Sequence, residues 1–250
     1  METEKVIVVT GASRGIGAAT ARLAAARGYS VCVNYFRSAE AADRLMAEIA
    51  ASGGKAIAVG ADTSVEADVV RLFETVDETL GPLTALVNNA GILKQQTRVS
   101  EMSAKRINEV MAVNVTGCFL CAREAVRRMS TLTGGTGGAI VNVSSGASRL
   151  GSPGEYVDYA ASKGAVDTLT IGLAKEVAEE GIRVNAVRPG FIYTDIHTSG
   201  GEPERVDRVK AFVPMKRGGA PEEVARAIMW LLSDEASYTT GAFIDVTGGK

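Results

Sequence analysis

Residues 5–17 read Lys-Val-Ile-Val-Val-Thr-Gly-Ala-Ser-Arg-Gly-Ile-Gly, a β-branched apolar run followed by a turn that holds three glycines. The apolar run predicts a buried strand, and the alanine-rich residues 18–27 behind it predict a helix. Glycines at 11, 15 and 17 permit a tight turn and let the helix start close to the strand. The unpaired amides at that helix start would face an anionic group such as a pyrophosphate. The stretch therefore predicts a strand, turn and helix unit that cradles a phosphate.

Strands and helices alternate along the rest of the chain, with the first strand predicted over residues 5–10. Further apolar, β-branched runs predict strands at residues 30–34, 56–60, 85–88, 139–144, 183–187 and 243–246. Amphipathic or alanine-rich stretches predict further helices at residues 39–51, 66–80, 103–129, 159–180 and 221–232. This α/β alternation predicts one domain over residues 1–250, with seven parallel strands and helices on both faces. Residues 195–220 interrupt the alternation with glycines, prolines and charges, and we interpret them as a mobile substrate lid.

Composition restricts the classes of partner. The 250 residues carry a formal net charge of -2, so no basic excess favours nucleic acid or an anionic membrane, and a small molecule is the expected partner. No secretory signal and no apolar run of about 20 residues is found, which predicts a cytosolic protein. Cys32, Cys118 and Cys121 lie in apolar segments and are expected to be reduced, buried thiols. The C-x-x-C of the last two lacks further ligands nearby, so no metal site is expected.

The end of the second strand predicts which dinucleotide binds. An acidic residue there would bind the adenosine ribose of NAD, but residues 33–38 hold no carboxylate. Arg14 in the glycine turn and Arg37 after the strand offer two guanidinium groups for a 2'-phosphate, with Ser38 as a further donor. These residues favour NADP, with NAD still possible. The alternative is that Arg37 is only a solvated loop charge.

A tyrosine and a lysine supply the expected acid and base chemistry. Tyr159 and Lys163 are four residues apart in a predicted helix, so their side chains share one face. A phenol has a pKa of about 10, and we expect the neighbouring ammonium to lower it. Such a phenol can act as general acid in ketone reduction and as general base in alcohol oxidation. Tyr156 is excluded from this role because the residue four positions after it is an alanine. The alternative is a surface tyrosine beside a surface lysine.

Three polar residues accompany this pair. Ser145 follows a predicted strand, where its hydroxyl can orient a substrate carbonyl. Asn114 lies inside the predicted helix 103–129. Asparagine is a poor helix former and its amide needs partners when it is buried, so a functional role is favoured. The alternative is a hydrogen-bonded asparagine of the core. His197, the single histidine, lacks companions for a metal site and is interpreted as a lid residue that touches substrate.

Several short motifs occur together in one order along the chain. They are Thr10–Gly17 with the pattern T-G-x-x-x-G-x-G, Asp62-Thr63, Asn88-Asn89-Ala90-Gly91, Asn114, Ser144-Ser145, Tyr159-Ala160-Ala161-Ser162-Lys163 and Pro189-Gly190. With these motifs the chain resembles the short-chain dehydrogenase/reductase family over essentially its whole length. The resemblance implies a single-domain Rossmann fold and an NAD(P)-dependent oxidoreductase that acts on a ketone or aldehyde, or on a secondary alcohol.

The resemblance also implies residue roles. Asn114, Ser145, Tyr159 and Lys163 would be catalytic, with Asn114 holding a water and Lys163 also binding the nicotinamide ribose. Cofactor contacts would come from Gly11, Ser13, Arg14, Gly15, Ile16, Gly17, Asn34, Tyr35, Arg37, Ser38, Asp62, Thr63, Asn89, Ala90, Gly91, Tyr159, Lys163, Pro189, Gly190, Ile192 and Thr194. Of these, Asp62 and Thr63 would meet the adenine, and Ile192 and Thr194 the carboxamide. The interval from Ser145 to Tyr159 is one residue longer than the family's usual interval, so Ser144 stays an alternative.

Family resemblance implies a homotetramer, with a dimer as the alternative, in which helices 103–129 and 159–180 pair across a two-fold axis and the last strand meets a neighbour. A nucleotide-binding sensor or scaffold without turnover is the competing function. Hydration, epimerisation and enoyl reduction on this fold are further alternatives. The substrate is left open among sugars, acyl-thioesters and other carbonyls. The residues expected to shape its pocket are Leu93, Leu150, Tyr156, Phe191, Phe212 and Met215.

Overall fold

The computed structural model describes residues 5–250. The N-terminal stretch, in which the sequence predicts no secretory signal, includes residues 1–4, and these four lie outside the described residues. One sheet contains seven strands in the order β3-β2-β1-β4-β5-β6-β7, and every pair of neighbouring strands is parallel. The strands are β1 Lys5–Val9, β2 Tyr29–Tyr35, β3 Ala56–Gly60, β4 Ala85–Asn88, β5 Gly138–Val143, β6 Ile182–Pro189 and β7 Phe243–Val246. The predicted seven-stranded parallel sheet is confirmed, and each strand end lies within two residues of its prediction.

Ten α-helices connect the strands of the described chain. They are α1 Gly15–Ala26, α2 Ala39–Ala51, α3 Glu66–Leu80, α4 Ala104–Met111, α5 Gly117–Met129, α6 Ala147–Leu150, α7 Val157–Glu176, α8 Ile196–Ser199, α9 Arg205–Val209 and α10 Pro221–Leu232. Helices α1, α2 and α10 pack on one face of the sheet, while α3, α5 and α7 pack on the other. No helix within residues 5–250 has the length and apolarity needed to cross a membrane.

The strand β1 shows why the sheet is buried on both faces. Ile7 and Val9 point into the core under α1 and α10, whereas Val6 and Val8 point into the core under α3 and α5. All four are fully buried. A strand covered on both faces has no polar side to alternate with, so its sequence reads as a continuous apolar run.

The strand order reverses between β1 and β4, which lie side by side at the centre of the sheet. The chain runs outward from β1 to β3 in one direction and from β4 to β7 in the other. The loops that follow β1 and β4 therefore part from each other and leave a crevice at the carboxyl ends of the strands. In open parallel sheets, ligands bind at such a crevice.

The helix predicted over residues 103–129 is interrupted. A π-helical turn, Ala112–Thr116, separates α4 from α5. Asn114 lies in this turn and its side chain reaches back to the backbone of Ile92. The wider turn takes up one extra residue per turn, as π-bulges do, and it lets the amide leave the helix surface. Periodicity alone does not reveal this interruption, because the apolar pattern continues through it.

Candidate active site

A cleft of about 870 Å³ lies at the carboxyl ends of the central strands. It collects segments that are far apart in sequence: the glycine turn, the ends of β2 and β4, the start of α7 and the lid. Every residue predicted to contact the cofactor lines it except Gly17, and every predicted catalytic residue lines it except Asn114. Gly17 packs against Asn89 and Asn114 hydrogen-bonds Ile92, and both of these neighbours line the cleft.

The glycine turn is closed against the loop after β4. The Thr10 hydroxyl accepts hydrogen bonds from the amides of Asn89 and Ala90 at 2.9 and 3.0 Å. A Cβ on Gly11 would lie 2.9 Å from Ala90 Cα, and one on Gly17 would lie 2.6 Å from Asn89 Nδ2. These glycines are therefore required for close packing of the turn.

The start of α1 fits a pyrophosphate. Gly11 and Gly15 adopt φ values of 60° and 55°, which favour glycine. The residue before the helix, Arg14, makes no side-chain cap, so the first amides of this 12-residue helix have no side chain capping them. These amides face the cleft, and the positive end of the helix dipole favours an anion there. The cradle has the shape and polarity that a dinucleotide needs.

Asn34 braces the turn from beneath. Its side-chain oxygen accepts from the Gly11 amide at 3.1 Å, and its nitrogen donates to the carbonyls of Val59 and Ala61 at 3.2 and 3.1 Å. The residue is buried and its amide is fully engaged by backbone. Asn34 therefore holds β2, β3 and the glycine turn together, a role that the sequence did not reveal.

The adenosine end of the cleft carries two exposed arginines. Arg14 and Arg37 line it, and neither forms an ion pair within residues 5–250. The Arg37 guanidinium stacks 4.9 Å from the centre of the exposed Phe36 ring. Asp62 lies across the cleft, where its carboxylate accepts from the Ser64 amide and hydroxyl at 2.9 and 2.7 Å. The Asp62 carboxylate is thus held in a fixed orientation.

The geometry favours Ser145 over Ser144 as the serine of the site. Ser144 is committed to structure, because its hydroxyl contacts the Asp167 carboxylate at 2.6 Å and the Lys163 carbonyl at 3.2 Å. Ser144 and Ser145 both line the cleft, but the Ser145 hydroxyl only accepts from the Ala147 amide at 3.1 Å, and it lies near enough to Tyr159 to lower the pKa of that phenol. The interval from Ser145 to Tyr159 contains the short helix α6 and the turn that follows it.

The phenol of Tyr159 is more strongly protonated than the sequence suggested. Burial raises the pKa of Tyr159 above its usual 10.0, and the neighbouring Ser145 side chain lowers it by less. The expectation of a lowered Tyr159 pKa is wrong for the net shift among the protein's own groups, because desolvation of the phenolate dominates. The Tyr159 side chain is therefore a neutral proton donor at neutral pH.

Lys163 lies within the fold beside the phenol. Its ammonium is 5.7 Å from the centre of the Tyr159 ring and donates to the Val143 carbonyl at 2.7 Å. Burial lowers the pKa of Lys163 from 10.5 to about 8, while the nearby Asp167 acts in the opposite direction. Asp167 is itself paired with Arg188 at 3.0 Å. The lysine still carries its charge at neutral pH.

Asn114 connects three parts of the site. Its side-chain oxygen accepts from the Ile92 amide at 2.8 Å, and its nitrogen contacts the Ile92 carbonyl at 3.1 Å and the Ser162 hydroxyl at 3.0 Å. Ser162 in turn donates to the Tyr159 carbonyl at 2.7 Å. A Cβ on Gly91 would lie 3.4 Å from the Asn114 oxygen and 3.5 Å from the Lys163 nitrogen. The Asn114 side chain and the Lys163 ammonium therefore lie near each other, on the same side of Gly91. Ser162 was not predicted as a site residue, although it stands inside the motif that holds Tyr159 and Lys163.

Ion pairs hold the predicted lid, residues 195–220, in place. Arg205, whose side chain is 8% exposed, pairs with Glu155 and with Glu202, the latter at 3.3 Å. Arg208 pairs with the same two carboxylates, at 3.4 Å for Glu155. Gln96 donates to Glu202 at 2.6 Å. The segment predicted to be mobile is thus tied to the loop before α7 and to the loop after β4.

The substrate end of the cleft only partly matches its prediction. Leu93, Leu150, Tyr156 and Phe191 line it. Phe212 and Met215 do not line this cleft and are 75% and 60% exposed, so their assignment to the pocket is wrong. They belong to the outer side of the lid, and hydrophobicity alone did not indicate which side they face.

One further ion pair positions α7. Arg106 contacts the Asp158 carboxylate at 2.8 Å, and Asp158 also accepts from the Tyr159 amide at 2.9 Å. An aspartate in the first turn is favoured by the helix dipole. The ion pair fixes the start of α7, the helix that carries Tyr159. Because Arg106 and Asp158 are 52 residues apart, the sequence pattern does not predict that they interact.

The doubly wound sheet, the glycine cradle and the group of Ser145, Tyr159 and Lys163 in the cleft define a dinucleotide-dependent oxidoreductase. A family model described as Enoyl-(Acyl carrier protein) reductase matches residues 11–250. The chain is 64% identical over 245 residues, 98% of this chain and 99% of the relative, to Uncharacterized oxidoreductase YgfF of Escherichia coli strain K12. It is 42% identical over 248 residues, 99% of this chain and 97% of the relative, to a 3-oxoacyl-(acyl-carrier-protein) reductase of Synechocystis.

A solved short-chain type dehydrogenase/reductase from Mycobacterium marinum superposes with a TM-score of 0.92 at 33% identity, covering 98% of this chain and 94% of that one. These relationships extend over nearly the whole chain. The protein belongs to the short-chain dehydrogenase/reductase family and is an oxidoreductase.

Proposed function

We propose that this protein is an NADP(H)-preferring enzyme of one catalytic domain that interconverts a ketone or aldehyde and its alcohol, with Tyr159 as the proton donor and acceptor. The observation that carries the proposal is the convergence of Ser145, Tyr159 and Lys163 in the cleft that the glycine turn opens. A nicotinamide bound there supplies or accepts the hydride.

The protein's own groups move the proton. In reduction, Tyr159 gives its phenolic proton to the carbonyl oxygen as that oxygen gains negative charge. Ser145 donates a second hydrogen bond to the same oxygen and stabilises the charge. The Lys163 ammonium then stabilises the phenolate that remains, until a proton returns through the polar groups around Asn114. In oxidation the same steps run backwards.

Two guanidinium groups support the choice of NADP. Arg14 and Arg37 face the cleft, no carboxylate among residues 5–250 pairs with either of them, and a 2'-phosphate would pair with both. At equal concentration we expect NADPH to raise the melting temperature more than NADH, with a Kd about tenfold to a hundredfold lower. Arg37→Asp should reduce or reverse that difference. Thermal melts and binding titrations with both nucleotides measure it.

A charge-matched control is available on the neighbouring helix. Arg44 lies on α2, is 69% exposed in its side chain and does not line the cleft. Arg44→Asp makes the same change of charge and should keep the NADPH preference of the wild type. Equal affinity of the wild type for both nucleotides would refute the assignment.

The reaction class is tested by NADPH oxidation with a panel of aldoses, diketones and acyl-thioesters. The relative named as a 3-oxoacyl reductase makes acyl-thioesters one class for the panel. The spacing of four between Tyr159 and Lys163 disfavours enoyl reduction, for which we expect a different spacing. Nucleotide binding with no turnover of any carbonyl would favour a sensor or scaffold instead.

A homotetramer fits the exposed faces of α5 and α7. Phe119 is 50% and Ile171 43% exposed, and Gly164 and Gly172 on α7 would place a Cβ in open space. These two glycines are eight positions apart, so they lie on one face of the helix, where small residues let another helix approach closely. Light scattering should give the mass of four chains at micromolar protein, and Ile171→Glu should lower it.

Leu132→Glu is the control for that experiment, since Leu132 is 77% exposed and lies in the connection between α5 and β5. It should leave the mass unchanged. A stable wild-type monomer would contradict the proposed assembly. The cytosolic location expected from the sequence stays a prediction.

A further inference from the structure

The Asp167 carboxylate lies one turn after Lys163 on α7 and binds a different partner with each oxygen. Oδ1 accepts a hydrogen bond from the Ser144 hydroxyl at 2.6 Å. Oδ2 accepts from Arg188 Nε at 3.0 Å and lies 3.0 Å from a second nitrogen of the same guanidinium. The side chains of Asp167 and Arg188 are only 13% and 16% exposed. Hydrogen bonds to an ionised carboxylate are strong, and burial protects this group from screening by salt.

The bond to Ser144 holds the chain at the end of β5. The Val143 carbonyl, on one side of Ser144, accepts from the Lys163 ammonium at 2.7 Å. Ser145, on the other side, lines the cleft and lies near enough to Tyr159 to lower the pKa of that phenol. Ser144 itself is 2% exposed. The carboxylate therefore fixes the backbone between two groups of the candidate active site.

The same carboxylate acts on the charge of Lys163. Burial lowers the pKa of Lys163 from 10.5 to about 8, and Cys118 and Asp167 act in the opposite direction. Burial also raises the pKa of the Cys118 thiol to about 12 and the pKa of the Tyr159 phenol above 10.0, so both groups are neutral near pH 8. Asp167 is therefore the group that supplies a negative charge to the buried ammonium.

Arg188 is fixed beside this carboxylate. Its guanidinium lies 3.9 Å from the centre of the Phe243 ring and 3.7 Å from the Asp245 carboxylate. Asp245 in turn pairs with Arg149 of α6 at 2.7 Å. The charged groups that face the carboxylate thus come from β6, β7 and α6. Because Arg188 has the opposite sign, removing its charge and removing that of the carboxylate should change the protonation of Lys163 in opposite directions.

We propose that Asp167 is a positioning residue of the active site, which holds the chain at Ser144 and supplies a negative charge to the Lys163 ammonium. This inference rests on the proposed function, because the groups that it serves are Ser145 and Lys163. An ion pair with a purely structural role would leave the protonation of Lys163 unchanged. The titration of Lys163 in the protein without nucleotide or substrate therefore tests the charge, and turnover tests the orientation.

Two variants remove the two charges and keep the hydrogen bonds. Asp167→Asn keeps an oxygen that accepts from Ser144, and Arg188→Gln keeps a donor for Asp167. NMR of protein that contains isotope-labelled lysine follows the Cε signal of Lys163, identified as the signal that Lys163→Met removes. We expect a wild-type midpoint of about 8, a fall of about 0.5 to 1 pH unit in Asp167→Asn and a rise in Arg188→Gln. Glu176→Gln, an exposed change on the same helix, should leave the midpoint unchanged.

Ser144→Ala makes the complementary change, because it keeps the Asp167 charge and loses the hydrogen bond. We expect kcat for the best carbonyl of the panel to fall about tenfold, while the Lys163 midpoint stays within about 0.3 pH unit of the wild type. Asp167→Asn, measured about one pH unit below its own Lys163 midpoint, should keep kcat within about threefold of the wild type at the corresponding pH, because Ser144 stays bonded and Lys163 is charged.

Equal midpoints in the wild type, Asp167→Asn and Arg188→Gln, or a shift in the same direction in both variants, would overturn the role of the charge. If Asp167→Asn does not fold, an unchanged or lowered midpoint in Arg188→Gln does so alone. Full kcat in Ser144→Ala would exclude the role in orientation. A wild type that reduces no carbonyl would contradict the proposed function, while the titration of Lys163 would still decide the role of the charge.

Discussion

Tyr159→Phe is expected to lower the turnover of carbonyl reduction by about two to four orders of magnitude, the usual contribution of a positioned acid or base. Burial raises the pKa of Tyr159, so the phenol is neutral and carries the proton that it donates. Phenylalanine keeps the ring and removes only the proton donor. NADPH binding should therefore change little. Steady-state NADPH oxidation and a binding titration on the same preparation measure both quantities.

Tyr156→Phe is the matched control. Its hydroxyl contacts the Gly200 carbonyl at 3.3 Å and lies beside the lid instead of beside Lys163. Loss of that bond should leave turnover within about tenfold of the wild type, the size of a single neutral hydrogen bond. Full activity in Tyr159→Phe, or an equal loss in both variants, would reject Tyr159 as the proton donor.

Lys163→Met should lower turnover by about two orders of magnitude or more and should also weaken NADPH binding, which Tyr159→Phe should not do. The lysine is buried, and methionine has a similar length, so the core stays filled. Burying the charge costs free energy, so removing it should not destabilise the fold by itself. Turnover, a Kd for NADPH and a thermal melt separate these effects.

The pKa of Lys163 adds a pH signature. Because this pKa is about 8 in the fold, the ammonium is present below that pH and is lost above it. Wild-type affinity for NADPH should fall as the pH rises through about 8, and the affinity of Lys163→Met should not share that fall. Lys175→Met, an exposed change on the same helix, should behave as the wild type. Identical pH profiles for wild type and Lys163→Met would contradict the assignment.

The sheet could be predicted from the sequence because its signals are local. A strand buried on both faces reads as an apolar run, as in Val6–Val9. Gly11 and Gly15 adopt positive φ values, and a Cβ on Gly17 would meet Asn89, so the glycine pattern is a local signal of the turn. The Tyr159–Lys163 pair follows from helical periodicity alone. Each of these features depends on residues within a few positions of one another.

The features that could not be predicted depend on contacts between distant segments. The pKa of Tyr159 is raised because other segments bury the ring, which no local spacing encodes. The lid is tied down by Arg205 and Glu155, fifty residues apart in sequence. The π-helical turn contains Asn114, whose side chain bonds the backbone of Ile92 in another connection, a contact that helical periodicity does not encode. Asn34 lines the cleft, and its hydrogen bonds to Gly11, Val59 and Ala61 join segments that no local spacing connects.

The central claim is that a hydride moves between a nicotinamide and a carbonyl carbon, and the most direct measurement follows the hydride. NADPH deuterated at both C4 positions is incubated with the protein and the carbonyl panel, and the products are analysed by NMR. We expect one deuterium on the carbinol carbon of an alcohol with the wild type and strongly reduced labelling with Tyr159→Phe. Deuterium on a former alkene carbon, or no transfer to any carbonyl, would contradict the claim.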